Sequence, residues 1–392
     1  MIKVMHVITT LGPAGAETML ARVVSGMDGT RFQNEVVSLT DELHLAEKLR
    51  AIGVRVRTLG MKSSAPNPLL VIRIAQWIRK SKPHVIHTWM YHANLVGTLA
   101  VRLAGHVPVV WGIHHNALDP RVDSRRTILV NRVCASLSRR IHARIVCCTE
   151  ESRRIHEGIG YAAEKLEVIP NGFDLEQMKP DPNARRSLSE ELGIPADAPL
   201  IGIAARFHPH KDYPNFIRAA ARLHVQIPEA HFLLCGEAIT WQTAELAERI
   251  EAAGIRDCCH LLGVRQDMHR LFAAMDISTT SSLVEAFPLV IGEAMACGTA
   301  CVVTDVGDSA LIVGETGKVV APGNPEALAE AWRGLIEAGP EVRQRLGMAA
   351  RLRVQKHFGL SAVVERYQAI YTQLAGETLR GIPSAGLSEC AR

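Results

Sequence analysis

Short apolar, β-branched runs alternate with segments of helical period along nearly the whole chain. The run KVMHVITT (3–10) predicts a strand and GAETMLARVVSGM (15–27) a helix. EVVSL (35–39) predicts a second strand, 43–51 a helix and VRVRTL (54–59) a third strand. PLLVIRIAQWIRKSK (68–82) is apolar at helical spacing with its charges on one face. HVIHTW, PVVWGI and RIVCCT continue the strands as far as Thr149. Strands and helices in alternation argue for a parallel sheet covered by helices.

The pattern then restarts. VIPNGFDLEQMKPDPNARR (168–186) carries Asn-Gly, three prolines and several charges, and reads as a linker. APLIGIAAR opens a second strand–helix series, continued by AHFLLCG, CHLLG, DISTTS and ACVVTD. Further helices are expected near 324–337, 340–356 and 360–375. The expected class is α/β, with two Rossmann-like, doubly wound parallel-sheet domains facing across a cleft. In such sheets ligands lie beyond the carboxyl ends of the strands, so chemistry is sought just after strands.

Composition narrows the picture. Apolar residues are 47% of the 392, which suits a sizeable core and argues against disorder. The nine cysteines include no Cys-x-x-Cys, which fits neither a disulfide framework nor a zinc site. Most sit in apolar runs, as buried thiols do in a reduced, cytoplasmic protein. The N-terminus reads as a strand rather than a signal peptide, and no run of about 18 apolar residues is present. The net charge of +4 divides unevenly: residues 1–175 carry +9 and residues 176–392 carry −5. A basic first half points to an anionic partner, a phosphate-bearing ligand or a membrane surface, or else to a solvated basic face.

Four stretches carry candidate chemistry. In TTLGPAGAETML, Gly15 at a helix start permits either close approach to an anion or simply a tight turn, and the dinucleotide fingerprint G-x-G-x-x-G is absent. In AARFHPHKDYP, Arg206 and Lys211 follow a strand, where two cations suit a diphosphate or merely a charged turn. In VEAFPLVIGEAMACGT, Glu285 precedes a helix that Pro288 opens and Gly298 ends, and Glu293 lies inside it. The amides of Leu289, Val290 and Ile291 then offer a phosphate site, and Glu285 is expected to meet hydroxyls instead. Gly292 in mid-helix is expected to leave room for a ligand. In VPVVWGIHHNALD, His114 and His115 follow a strand; either faces the site, or both are structural. His92 is a weaker acceptor-side candidate. Seven arginines between 121 and 144 predict a basic helical face, for anionic lipid or for solvent.

EAFPLVIGE resembles the E-x7-E motif of retaining GT-B glycosyltransferases, most closely glycosyltransferase family 4. The Gly-Ala-Glu turn at 15–17, IPNGFD at 169–174, Arg206 with Lys211, LLG at 261–263, ACGTACVVTDVG and VGETGKVVAPGNPEALA agree with it in order, over nearly the whole chain. Ala14 replaces a glycine that many members carry. The resemblance implies a first, acceptor-side domain over 1–175 and a donor domain over 176–359. A helix over 360–375 then crosses back to the first domain, and a flexible tail follows over 376–392. It implies that Glu285 holds donor-sugar hydroxyls, Glu293 the ribose, and Arg206 with Lys211 the leaving diphosphate, with His114 or His115 near the sugar. Gly15, Gly236, Val264, Phe287, Leu289 and Val290 would line the donor site.

The implied reaction moves a hexose-type sugar, with retention, from a UDP- or GDP-linked donor to a polysaccharide or lipid-linked glycan precursor. The implied setting is the cytoplasmic side, at the inner face of a membrane. No Asp-x-Asp occurs, and neither a metal nor an organic cofactor nor a nucleic-acid partner is expected. A nucleotide-sugar 2-epimerase and a non-catalytic nucleotide-sugar binding protein remain open alternatives.

Overall fold

The computed structural model describes every residue except 13, 42–44, 62–67, 117–123, 142 and 381–392. The chain divides into two compact units. Unit 1 comprises Met1–Gly172 with Leu360–Arg392, and unit 2 comprises Phe173–Gly359. The division falls three residues before the expected 175/176 boundary. Phe173 belongs with unit 2 because its ring packs on Phe287 and Phe358, at centroid distances of 6.1 and 6.5 Å.

Unit 1 is a seven-stranded parallel sheet of β1 (Ile2–Ile8), β2 (Phe32–Ser38), β3 (Arg55–Thr58), β4 (Val85–Trp89), β5 (Val109–Ile113), β6 (Ala143–Cys147) and β7 (Leu166–Val168). The strand order is β3-β2-β1-β4-β5-β6-β7. Its helices are α1 (Gly15–Gly26), α2 (Ala46–Ala51), α3 (Pro68–Ser81), α4 (Tyr91–Ala104), α5 (Arg125–Ser138) and α6 (Glu150–Ile159). The strands are buried on both faces, as parallel strands must be. Met5, Val7, Ile86 and Trp111 point to the face covered by α3, α4 and α5. Val4, Ile8, Val85 and Trp89 point to the other face with the period of two that a strand imposes.

Unit 2 repeats the plan with six parallel strands. They are β8 (Leu200–Ala204), β9 (His231–Cys235), β10 (Cys259–Leu261), β11 (Ile277–Thr280), β12 (Ala300–Thr304) and β13 (Gly317–Val320), in the order β10-β9-β8-β11-β12-β13. Its helices are α7 (Ala184–Leu192), α8 (Tyr213–Gln226), α9 (Ala244–Ala252), α10 (Met268–Ala274), α11 (Leu289–Ala296), α12 (Ser309–Val313), α13 (Pro325–Glu337) and α14 (Pro340–Phe358).

The last helix, α15 (Leu360–Arg380), packs in unit 1, where Val363, Val364, Tyr367, Ile370 and Tyr371 join the core beside α1. It runs five residues past the expected end at 375, so 376–380 are helical rather than tail. Among the described residues, no helix is long and apolar enough to cross a membrane, and all eight cysteines are free and buried.

Candidate active site

In unit 2 the strand order reverses between β8 and β11, and doubly wound sheets take ligands beyond the carboxyl ends of the strands at such a point. The loop after β8 carries Arg206 and Lys211, and the loop after β11 carries Glu285. The two loops are tied together. Leu283 N–H donates to the His210 carbonyl at 2.8 Å, and Ser281 Oγ donates to the Lys211 carbonyl at 2.7 Å. Asp212, at φ +45°, caps α8 by accepting from Asn215 N–H at 3.2 Å, which fixes Lys211 just before that helix.

The Lys211 ammonium forms an ion pair with Glu285 Oε1, and Ser282 Oγ donates to the same oxygen at 2.7 Å. Glu285 is only 11% exposed, so the pair is largely withdrawn from solvent. Arg206 is exposed and has no ion pair among the described residues. His208 is lowered from its ordinary value by burial, then by the charges of Arg206, His210 and Lys211.

A third loop supports Glu285. Thr304 Oγ1 donates to the Ser282 carbonyl at 2.8 Å, and Asp308 N–H donates to the Ala286 carbonyl at 2.9 Å. Gly307, at φ +53°, lies so close that a Cβ there would stand 2.5 Å from the carbonyl oxygens of Glu285 and Ala286. Ser282, Thr304 and Gly307 have no part in the sequence-based site; their only signal is position, Thr304 at the end of β12 and Ser282 and Gly307 just beyond a strand end.

The helix of the E-x7-E stretch differs from expectation in three respects. Pro288 is the N-cap rather than the first helical residue, with ψ at 107°. The Ile291 amide therefore closes a tight turn onto the Pro288 carbonyl at 3.3 Å, leaving Leu289 and Val290 as the amides without a backbone acceptor. Gly292 leaves no room for a ligand: a Cβ there would meet Phe173 Cζ at 2.1 Å. Phe287 is buried, its ring packed against those of Phe173 and Phe358. Glu293 lies on α11, half-buried.

Two further donor-side candidates sit at the same edge. Gly236 follows β9 at φ +145°, where a Cβ would stand 2.1 Å from the Ala205 carbonyl oxygen, so its backbone presses on the loop of Arg206. Val264, beyond β10, is 59% exposed.

Unit 1 treats its own reversal point, between β1 and β4, differently. His6 on β1 and His87 and Trp89 on β4 are fully buried. Trp89 Nε1–H donates to His6 Nδ1 at 3.3 Å, so His6 Nε2–H donates to Asn34 Oδ1 at 3.1 Å. His87 Nδ1 shares a 2.6 Å hydrogen bond with the Tyr371 hydroxyl of α15. His114 stacks on Trp89 with centroids 5.1 Å apart, and burial pushes it down to about 4 despite the Asn171 amide beside it. His6 is likewise pushed down to about 4 by burial.

His115 is half-buried, and its carbonyl accepts from Ser152 Oγ at 2.8 Å. His92, on the first turn of α4, is lowered by burial. Gly15 is the first residue of α1, after an Ala14 N-cap that supplies no side-chain acceptor. The seven arginines do not share one helix. Arg125, Arg126 and Arg132 lie on α5, Arg139 and Arg140 just beyond it and Arg144 on β6, while Arg121 is outside the described residues.

The model described as Glycosyltransferase Family 4 matches residues 13–177, and that described as Glycosyl transferases group 1 matches residues 198–338. A Bacillus subtilis (strain 168) chain provisionally designated glycosyltransferase EpsF is 27% identical, over 77% of this chain and 79% of that one. The UDP-Gal:alpha-D-GlcNAc-diphosphoundecaprenol alpha-1,3-galactosyltransferase of Escherichia coli is 27% identical, over 62% of this chain and 64% of its own. The crystal structure of Anabaena HepE in complex with UDP-glucose superposes with a TM-score of 0.81 at 25% identity, over 97% of this chain and 100% of that one. With two doubly wound units, the first matched by the Glycosyltransferase Family 4 model and the second by the group 1 model, the chain belongs to the family 4, group 1 glycosyltransferases of the GT-B fold.

Proposed function

We propose that this glycosyltransferase moves a hexose-type sugar, with retention of anomeric configuration, from a UDP- or GDP-linked donor to a hydroxyl of a glycan or lipid-linked acceptor on the cytoplasmic side. The observation that carries the reading is the Lys211–Glu285–Ser282 cluster at the reversal point of unit 2, with the exposed Arg206 on the same loop as Lys211. The E. coli relative, named for a UDP-linked donor and a diphosphoundecaprenol acceptor, and HepE, crystallised with UDP-glucose, support the donor and acceptor classes.

The ion pair is the resting state of the site. An arriving diphosphate draws the Lys211 ammonium from Glu285, and Arg206 and the Leu289 and Val290 amides take up the remaining negative charge. Glu285, still oriented by Ser282, accepts hydrogen bonds from the sugar hydroxyls, and Glu293 does the same for the ribose. The bond from the anomeric carbon to the β-phosphate oxygen breaks, and its electron pair goes to that phosphate. The acceptor oxygen bonds to the anomeric carbon from the same face and passes its proton to the departing phosphate. The charge that grows on the leaving group is what Lys211 and Arg206 stabilise. No step is assigned to a metal.

Lys211→Ala and Glu285→Gln are each expected to lower kcat by about a hundred- to a thousandfold while the circular dichroism spectrum is retained. Nucleoside diphosphate release in the presence of acceptor measures the loss, and proton NMR of the product reads the anomeric configuration. Near-normal turnover in either folded variant overturns the reading. So does an inverted product, or an epimerised free sugar formed from donor alone.

A further inference from the structure

The loop between β8 and α8 has little backbone to offer an anion, because its amides are engaged within the protein. Ala205 N–H donates to the Cys235 carbonyl and Phe207 N–H to the Glu237 carbonyl, each at 2.9 Å. Lys211 N–H donates to the His208 carbonyl at 2.9 Å, and Asp212 N–H to the Pro209 carbonyl at 3.2 Å. Pro209 has no N–H. A nest of free amides cradles phosphate with its backbone. Here the side chains have to do it.

Arg206 and Lys211 are two such side chains, and the loop brings a third beside them. Phe207 packs on the core of unit 2, its ring 5.6 Å from that of Tyr213, and so anchors the chain between Arg206 and His208. Pro209 restricts the residue before it to extended backbone, and His208 has φ −152° and ψ 144°. In that conformation His208 Nδ1 accepts from His210 N–H at 3.2 Å. The His210 carbonyl is held in turn by Leu283 N–H from the loop after β11, so the residue that fixes the imidazole is itself fixed.

The hydrogen bond at Nδ1 sets the tautomer. A neutral imidazole whose Nδ1 accepts carries its proton on Nε2. Burial, and then the charges of Arg206, His210 and Lys211, lower His208 from its ordinary value, which disfavours a second proton. Nε2–H is therefore a neutral donor, and it meets no acceptor among the described residues. It stands in the positive potential of Arg206 and Lys211, where the acceptor that fits is an anion.

We infer that His208 is a third donor to the diphosphate of the sugar nucleotide, binding a phosphate oxygen through Nε2–H beside Arg206 and Lys211. This contact rests on the donor class proposed above and adds direction to it without charge. In the resting site Lys211 shares its charge with Glu285, and a neutral donor can stand beside both cations without repelling them.

Two substitutions separate the two ring nitrogens. His208→Asn keeps the inner half, since its Oδ1 can accept from the amide two residues on, as in an Asx turn, but it has no donor where Nε2 stood. His208→Gln keeps an N–H group at the reach of Nε2 and gives up the short acceptor. Isothermal titration calorimetry of the full chain with UDP and with GDP compares them. Against whichever diphosphate the wild type binds, His208→Asn is expected to lose about tenfold in affinity with unchanged melting. His208→Gln is expected to keep most of the affinity.

His208→Asn binding as tightly as wild type overturns the inference. So does the opposite order, with affinity kept by His208→Asn and lost by His208→Gln, because His208 would then only brace the turn. Lys211→Ala separates this contact from the reading beneath it. Weaker diphosphate binding in Lys211→Ala, with wild-type binding in His208→Asn, fails this inference alone. A chain that binds in the expected order but transfers no sugar fails the reaction alone. A wild type that binds neither UDP nor GDP overturns both.

Discussion

The two units share a strand order around their reversal points yet fill those points with opposite chemistry. Unit 2 brings Lys211, Glu285 and Ser282 together there, charged and mutually held. Within the two strands that flank its own reversal point, unit 1 places His6, His87 and Trp89, buried and roofed by the aromatic rings of α15. The backbone plan fixes where a crevice can form, and the residues at the strand ends decide whether it is a site or a core. The difference also divides the response to acid, since unit 1 buries the larger set of histidines.

The largest expected effect follows from those bases. His6, His114 and His156 of unit 1 are each pushed down to about 4 by burial, and His87 is pushed further. In unit 2 only His260 is pushed down to about 4. The unfolded chain takes up these protons near 6.5, whereas the folded chain stays neutral until about 4. The stabilisation is therefore complete above pH 6.5 and is lost as pH falls toward 4. Three such groups weaken unit 1 by about 4 kcal/mol per pH unit within that window, against about 1.4 for one group. Unit 1 is expected to unfold first on acidification. Fluorescence of variants that keep only Trp89 and Trp111, or only Trp241 and Trp332, separates the two units. Coincident transitions erase the contrast.

A second test concerns the core beneath the site. Alanine for glycine in mid-helix ordinarily stabilises by about 1 kcal/mol. At Gly292 the sign is expected to reverse, because the new Cβ meets the Phe173 ring at 2.1 Å. Gly292→Ala is expected to destabilise unit 2 by about 1–3 kcal/mol, read by denaturant melting. A stabilised variant would mean that the ring yields and that the gap is not a packing contact.

This position also shows where sequence reading stops. Alternating strand and helix runs are legible because each is local: the period of a segment reports which face it buries. The placement of Glu285 before α11 and of Glu293 within it follows from Pro288 and Gly298, residues that act on their own backbone. The Phe173 ring at Gly292 and the Lys211–Glu285 pair, 74 residues apart, are long-range contacts that no period encodes. Gly292 accordingly reads as room for a ligand when it is room for a distant side chain. The packing of Phe287 on Phe173 and Phe358 is likewise long-range. Gly307 escapes notice because its φ of +53° and its closeness to Glu285 exist only once β11 and β12 are paired.

Tyr371→Phe sharpens the contrast from the side of unit 1. It keeps the ring under the sheet but leaves His87 Nδ1 without its 2.6 Å partner. Loss of a buried hydrogen bond costs about 1–2 kcal/mol. The cost is expected in unit 1 alone, with the Trp241 and Trp332 signal of unit 2 melting as before. A shift in both signals would tie α15 to the stability of unit 2 as well.

The smallest effect expected is at Ser282. Its hydroxyl donates to the same Glu285 oxygen that Lys211 holds, so it orients the carboxylate without supplying charge. Thr304 secures its carbonyl from β12, so Ser282→Ala leaves the loop path intact. The lost hydrogen bond to a carboxylate is worth about 1.5 kcal/mol, which corresponds to about tenfold in rate. That loss is expected in kcat, with donor KM little changed, because Lys211 and Arg206 still receive the diphosphate. A loss as deep as that of Lys211→Ala would make Ser282 part of the charged machinery. A loss confined to KM would mean that the hydroxyl meets the donor itself rather than aiming Glu285.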